Sequence, residues 1–367
     1  MSSSDTNRDP ISYTQVCICA DDFGLESGVD QGIAALAAQG RLTAISCLST
    51  GPTFGSDADM IRGLDVDIGL HLNFTESLGQ PGLFMPIGKL ILSAYLRRLP
   101  TLRIHEQIHR QLDAFESIMG RAPDFVDGHL HIHQLPQIRE SLIEQLTKRY
   151  GNNPSLWMRD TMPGPLRGSL PVAQRLKAHL IGSLGAKRLK AMANHAGIRT
   201  NEGGFFGVYD FARAHPPYPQ MLEAWLAHMR QGALLMVHPA QSIQPGDLFG
   251  QDRVEEYRVL GGVAFENLLM RMGIRPARLS HISASTRPDL QVSSLAAAMP
   301  VGVAQRVHTP AVFLLVKLFL FADLDHALRS TVLAPVVGPV QQVIITGRRL
   351  FATTVDLVHV LPARDAQ

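Results

Sequence analysis

Cysteine is scarce in this chain: Cys17, Cys19 and Cys47 are its three. They form no CxxC pair and sit in apolar, strand-like runs, which excludes a disulfide framework or a cysteine-built zinc site and reads as reduced core thiols of a cytoplasmic protein. Net charge is nearly absent as well: a formal +2 over 367 residues provides no field for a polyanion, so no nucleic-acid partner is expected. Charged residues make up only 18% against 46% hydrophobic, which excludes a disordered chain. The polar start, Met1 to Gln15, lacks the apolar core of a signal peptide and reads as a loose arm. No dinucleotide fingerprint follows the first strand-like run, where Gly24 and Gly28 stand alone. The most apolar stretch, Ala311 to Phe321, is broken by Lys317 and falls short of the roughly 20 residues of a membrane span. It reads as a buried or interfacial helix, with membrane contact by the tail left open.

What is present is an alternation of strands and helices. Strand-like runs at Val16 to Ala20, Leu42 to Leu48, Asp67 to Asn73, Asp124 to His129, Ser155 to Arg159 and Ala233 to His238 are separated by helical patterns. The helices are expected at Val29 to Gln39, His105 to Met119, Pro136 to Tyr150, Pro171 to His195 and Tyr218 to Gln231. Several strands are apolar on both faces, so both must be covered, as in a mainly parallel α/β sheet. A barrel is favoured over a doubly wound sheet because candidate site residues end at least four strands. The organisation expected is a flexible arm over 1–14, a main body over 15–280 and an apolar C-terminal extension over 281–367. The extension runs from a small-residue segment at Ile282 to Val307 to a valine and proline segment at Val332 to Ile345, neither a clean helix nor a clean strand, and carries no recognisable chemistry.

The chemistry lies at the strand ends. Asp21 and Asp22 close Cys17-Ile-Cys-Ala-Asp-Asp-Phe-Gly24, His71 closes Gly69-Leu-His-Leu-Asn73, and Asp127-Gly-His-Leu-His-Ile-His133 brings three histidines. A metal held by one carboxylate and two imidazoles keeps positions open for water and substrate. Asp22, His71 and His129 are candidate ligands, and Asp21 beside them a candidate base. Asp22 is also readable as a helix cap. On a strand, His129, His131 and His133 project to one face, which packing does not require. His238, in Leu234-Leu-Met-Val-His-Pro239, is a candidate general acid. Arg159 can brace Asp21, bind substrate, or form a surface ion pair. Asn201-Glu-Gly-Gly-Phe-Phe-Gly-Val-Tyr209 offers aromatics on a glycine loop, readable as a sugar-stacking edge or as a plain turn.

Taken together, Ala20-Asp-Asp-Phe-Gly24, Gly69 to Asn73, Asp127 to His133 and Leu234 to Ala240, in this order and spacing, resemble the YdjC-like carbohydrate deacetylases, the ChbG/HpnK family. The resemblance covers roughly residues 15 to 280. It implies a distorted (β/α) barrel and a hydrolase that removes acetyl groups from N-acetylated sugars with a divalent metal, magnesium or zinc. It implies Asp22, His71 and His129 as metal ligands, Asp21 as base and His238 as the late histidine suited to acid work. His131 and His133 match further histidines of the third motif, in supporting or substrate-contacting roles. Two rivals remain: a metal-dependent phosphoesterase, which calls for more cationic clamps than Arg159, and a non-catalytic carbohydrate-binding or scaffold protein on the same fold. The expected partner is a small carbohydrate, with a homo-oligomer left open. Sugar preference is expected to depend on loops such as Leu78 to Pro100 and Met162 to Gly168.

Overall fold

The computed structural model describes residues 13–282 apart from 152, 167–169, 212–215 and 245, together with two short strands near the C-terminus. The strands of the main body are β1 (Thr14–Phe23), β2 (Ala44–Cys47), β3 (Asp67–Leu72), β4 (Phe125–Gly128), β5 (Trp157–Met158), β6 (Arg199–Thr200), β7 (Phe205–Phe206), β8 (Ala233–Val237) and β9 (Ile274–Pro276). Around them lie α1 (Ser27–Ala38), α2 (Phe54–Asp57), α3 (Ile87–Tyr95), α4 (Thr101–Met119), α5 (Ile138–Tyr150), α6 (Val172–Ser183), α7 (Ala186–His195), α8 (Tyr218–Leu226), α9 (Gly250–Gly261) and α10 (Val263–Arg271).

The sheet runs β6-β5-β4-β3-β2-β1-β8-β7, with β9 added against the start of β1. Every pairing is parallel. The eight strands of the main path curl into a half-barrel. The expected α/β class and parallel sheet are therefore met, but among the described residues barrel closure is not, because β6 and β7 end the path without pairing with each other. A single bridge from Pro163, in the loop after β5, to Phe205 of β7 spans the gap. β1 is central, and Val16, Cys17, Ile18, Cys19 and Ala20 are fully buried, as a strand covered on both faces requires.

Two local features aim the strands. Pairing of β1 with β2 steps from Ala20↔Ile45 to Phe23↔Cys47, one extra residue on β1, and Asp22 takes φ 72°. Such a bulge breaks the alternation that would send Asp21 and Asp22 to opposite faces. In β3, a Cβ at Gly69 would lie 2.5 Å from the Phe125 ring. That ring stacks on Trp157 at 4.1 Å and 10°, so β3 and β4 approach closely only because Gly69 has no side chain.

Helix α4 shows how the shell is attached. Ile104, Ile108, Leu112, Phe115 and Met119 are buried at helical spacing, worth about 1.5–3 kcal/mol each, and the helix ends at Gly120 with φ 70°, a conformation glycine accepts freely. The same face buries Gln107 and Gln111. The single helix expected over Pro171 to His195 is two, broken at Gly185 (φ 143°), where a Cβ would lie against the Gln134 carbonyl. At the opposite end of the sheet from the aspartates, buried Asp67 accepts hydrogen bonds from Trp157 Nε1 (3.0 Å), Arg278 Nε (2.9 Å) and the Ser280 backbone N–H (3.0 Å). These bonds tie the last described turn of the body across the starts of β3 and β5.

A second unit, described by itself, pairs β10 (Val343–Thr346) antiparallel with β11 (Arg349–Ala352), so the end of the segment Val332 to Ile345, which gave no clean signal, is strand; 332–342 lie outside the described residues. The apolar run Ala311 to Phe321, and residues 1–12 of the expected arm, lie outside the described residues. No helix among the described residues is long and apolar enough to cross a membrane.

Candidate active site

Asp21, Asp22, His71, His129, Arg159 and His238 all lie at or just beyond the C-terminal ends of parallel strands, the rim where α/β folds assemble sites. Asp21 is buried, and both its oxygens accept from the Arg159 guanidinium, Nη1 to Oδ2 and Nη2 to Oδ1, each at 2.6 Å. Arg159 is fully buried and its Nη2 lies 2.5 Å from Asp127 Oδ2. The surface ion pair considered for Arg159 is therefore excluded, and the bracing of Asp21 is what the structure contains. Cys19 Sγ, 3.1 Å from Arg159 Nη2, completes a cluster with Asp21 and Asp127 that has donors enough for a metal. The guanidinium already lies among those donors and supplies the positive charge there.

Asp22 does not cap α1, whose N-cap position is Glu26. Its Oδ1 lies 3.1 Å from His129 Nδ1 and 3.5 Å from His71 Nε2, and its Oδ2 accepts from Arg253 Nη2 at 2.8 Å. Burial works against its charge, but Arg253 and His129 outweigh it and hold the carboxyl well below the usual range. Behind the site, His71 Nδ1 is 2.7 Å from Asp127 Oδ1, and Ser46 Oγ donates to the same oxygen at 2.5 Å. A carboxylate only accepts, so the His71 Nδ1–H points at Asp127, and Nε2 is the ring nitrogen turned to Asp22.

A buried carboxylate facing two ring nitrogens calls for positive charge between them, as an ion or as a proton. Donor atoms of Asp22, His71 and His129 all lie within 4.8 Å of one another. Donors about 2.1 Å from one tetrahedral ion stand roughly 3.4 Å apart, which the 3.1 and 3.5 Å separations match. The donor set thus fits a divalent metal. Without one, burial disfavours charge on His129, yet Asp22 and Glu76 raise its imidazole to about 10, so a proton fills the same electrostatic need.

The third motif departs from the expected strand. After Gly128 the chain enters a 3-10 turn in which Leu130 (φ 53°) and His131 (φ 61°) are left-handed. The three imidazoles therefore do not share a face. His129 reaches Asp22, His131 packs edge-on against Phe205 at 5.4 Å, and His133 Nε2 lies 2.9 Å from the Arg159 carbonyl. Burial pushes His131 well below its ordinary value and His133 to about 4. The glycine loop after Asn201 likewise offers no stacking edge, since Phe205, Phe206 and Tyr209 are buried, the first two in β7.

His238 ends β8. Its backbone N–H donates to Glu256 Oε2 at 2.5 Å, its ring meets Phe211 edge-on at 5.3 Å, and burial pushes the imidazole down to about 4. Glu256, from α9, also accepts from the Tyr209 hydroxyl at 2.6 Å. Sequence reasoning missed Ser46, Glu76, Asp127, Arg253 and Glu256. Asp127 carried a signal, standing inside a singled-out motif as the register partner of His71. Arg253, 231 positions from Asp22, carried none.

A family model described as YdjC-like protein matches residues 15–271. A human protein named carbohydrate deacetylase is 26% identical over 315 residues, covering 76% of this chain and 94% of that protein. The chitooligosaccharide deacetylase of Salmonella schwarzengrund (strain CVM19633) is 34% identical over 127 residues, 32% of this chain and 50% of that one, so the chain matches about half the length of that relative. Among solved structures, a proposed cellobiose-phosphate cleavage protein from Enterococcus faecalis V583 superposes with TM-score 0.52 at 20% identity, covering 73% of this chain and 98% of that one. At that identity the likeness concerns the fold alone.

Proposed function

The chain belongs to the YdjC-like family, and from that premise we propose that it is a carbohydrate deacetylase, a hydrolase that removes acetyl groups from N-acetylated sugars of the chitooligosaccharide kind and depends on a divalent metal. The observation that carries this reading is the convergence on one rim of a three-donor set and a separate carboxylate, Asp21, held by a buried arginine. The human and Salmonella relatives, named for deacetylation, support the substrate class.

Asp22, His71 and His129 would hold the ion. The chemistry it supplies when bound is Lewis-acid polarisation of a carbonyl and acidification of water. Asp21 accepts the proton of the attacking water. Arg159 occupies both its oxygens from one side and fixes the carboxylate plane, leaving further lone pairs to accept that proton. His238 stands neutral in the resting protein because burial lowers it to about 4. It therefore serves the leaving nitrogen only after gaining a proton during the cycle, and we assign it as the group through which that proton reaches the amine.

The test is acetate release from N,N'-diacetylchitobiose by purified protein, before chelation, after it, and after metal return. The reading expects release that chelation abolishes and magnesium or zinc restores. Release unaffected by exhaustive chelation would sink the metal-dependent reading, and metal binding without release would sink the assigned substrate.

A further inference from the structure

The two imidazoles of the three-donor set are supported in the same way by different parts of the chain. His71 turns Nε2 toward Asp22 and Nδ1 toward the Asp127 carboxylate. His129 turns Nδ1 toward Asp22, and its Nε2 lies 3.3 Å from Glu76 Oε1. The two nitrogens of one ring lie on different edges, so Glu76 stands on the side of His129 facing away from the donor set. We propose that Glu76 is a positioning residue of the metal centre: its carboxylate accepts the His129 Nε2–H, fixes the tautomer that leaves Nδ1 free, and orients the ring. This rests on the metal reading above. A carboxylate behind a ligating imidazole raises its basicity and holds its direction.

Glu76 lies on the loop after β3, and its side chain is 52% exposed, so its placement must come from the backbone. Asn73, the last residue of the Gly69 to Asn73 motif, supplies it. Its side-chain Oδ1 accepts the backbone N–H groups of Thr75 (2.9 Å) and Glu76 (3.1 Å), and its Nδ2 donates to the Glu76 carbonyl at 2.6 Å. Asn73 is itself clamped by α4: its backbone N–H donates to Gln111 Oε1 at 2.8 Å, and its carbonyl accepts from Gln111 Nε2 at 2.9 Å and Gln107 Nε2 at 3.3 Å. Asn73, Gln107 and Gln111 are all buried. A turn closed by a side-chain amide and anchored to a long helix is a stiff support. The asparagine of the second motif, which the proposed chemistry does not use, thereby gains a role: it carries a carboxylate to the back of a ligand supplied by the third motif.

Zinc affinity, measured by competition with a chromophoric chelator on the full chain, tests this on wild type, Glu76→Gln, Glu76→Asp and Asn73→Ala. Glu76→Gln should weaken zinc about 10- to 100-fold while the far-UV circular dichroism of the metal-free protein stays that of wild type, which a residue needed only for folding would not do. Glu76→Asp should recover part of the affinity, and Asn73→Ala should lose affinity in the same direction. In zinc-loaded wild type, nitrogen-15 shifts should show His129 protonated at Nε2. A wild type that binds neither zinc nor magnesium overturns the metal reading and this proposal with it. Zinc bound equally tightly by wild type and Glu76→Gln overturns the role of Glu76 alone. Loss of a ligand in the cobalt(II) spectrum of Glu76→Gln would make Glu76 a direct ligand and overturn the positioning role.

Discussion

Replacing Arg159 by methionine removes a cation that two buried carboxylates share. Asp21 lies 2.6 Å from Nη1 and Nη2, and Asp127 lies 2.5 Å from Nη2, with all three side chains at most 2% exposed. With charge centres about 4 Å apart and an effective dielectric near 20, each attraction is worth about 4 kcal/mol, set against a desolvation penalty of similar size. Deleting one partner of such a cluster costs about 3–5 kcal/mol, because the charges left behind stay buried without compensation. Arg159→Met belongs at the upper end, since two carboxylates lose their partner. In a domain of this size the loss corresponds to a fall in thermal midpoint of about 6–20 °C. Urea unfolding of the metal-free protein measures the free energy, and Asp21→Asn alone and combined with Arg159→Met completes the cycle. Removing one of the stranded charges should return about 1–3 kcal/mol to the double variant relative to additivity. Arg159→Lys keeps the charge but cannot form the fork, so it should lose less stability and still lose most acetate release. A loss below about 1 kcal/mol in Arg159→Met, or strict additivity in the cycle, would refute this account of the buried cluster.

Gly69→Ala should cost about 1–3 kcal/mol as overpacking, because its Cβ would stand 2.5 Å from a Phe125 ring already stacked on Trp157. Adding Phe125→Leu should recover part of that loss in thermal melts, and no recovery would locate the strain elsewhere. Burial raises Glu256 from an ordinary 4.5 to about 7. The folded protein therefore binds this proton more tightly than the unfolded chain does, and the group removes stability as pH rises from about 4.5 to about 7. The change is on the order of 3 kcal/mol. Glu256→Gln, which can still accept the His238 N–H and donate to the Tyr209 hydroxyl, should flatten that pH dependence in urea titrations at pH 5 and pH 8. An unchanged slope would mean that Glu256 does not carry the titration.

The chain by itself determined the strands and which of them end in chemistry. A run such as Val16 to Ala20 is apolar on both faces and so must lie inside a covered parallel sheet, and a polar group at its end must then stand on the rim. That local logic placed Asp21, Asp22, His71, His129 and His238 on the rim, where the structure has them. It failed at the three histidines, where alternation assumes extended backbone and the chain instead turns through left-handed φ at Leu130 and His131. It also failed at the glycine loop after Asn201, whose aromatics the fold draws inward. Tertiary structure decided who stands behind each group. Arg253 meets Asp22 across 231 positions, and Glu76 meets His129 across 53. Periodicity registers burial over a few neighbouring residues. A buried charge is compensated by whichever element the fold brings to it, and that partner leaves no mark at its own place in the chain.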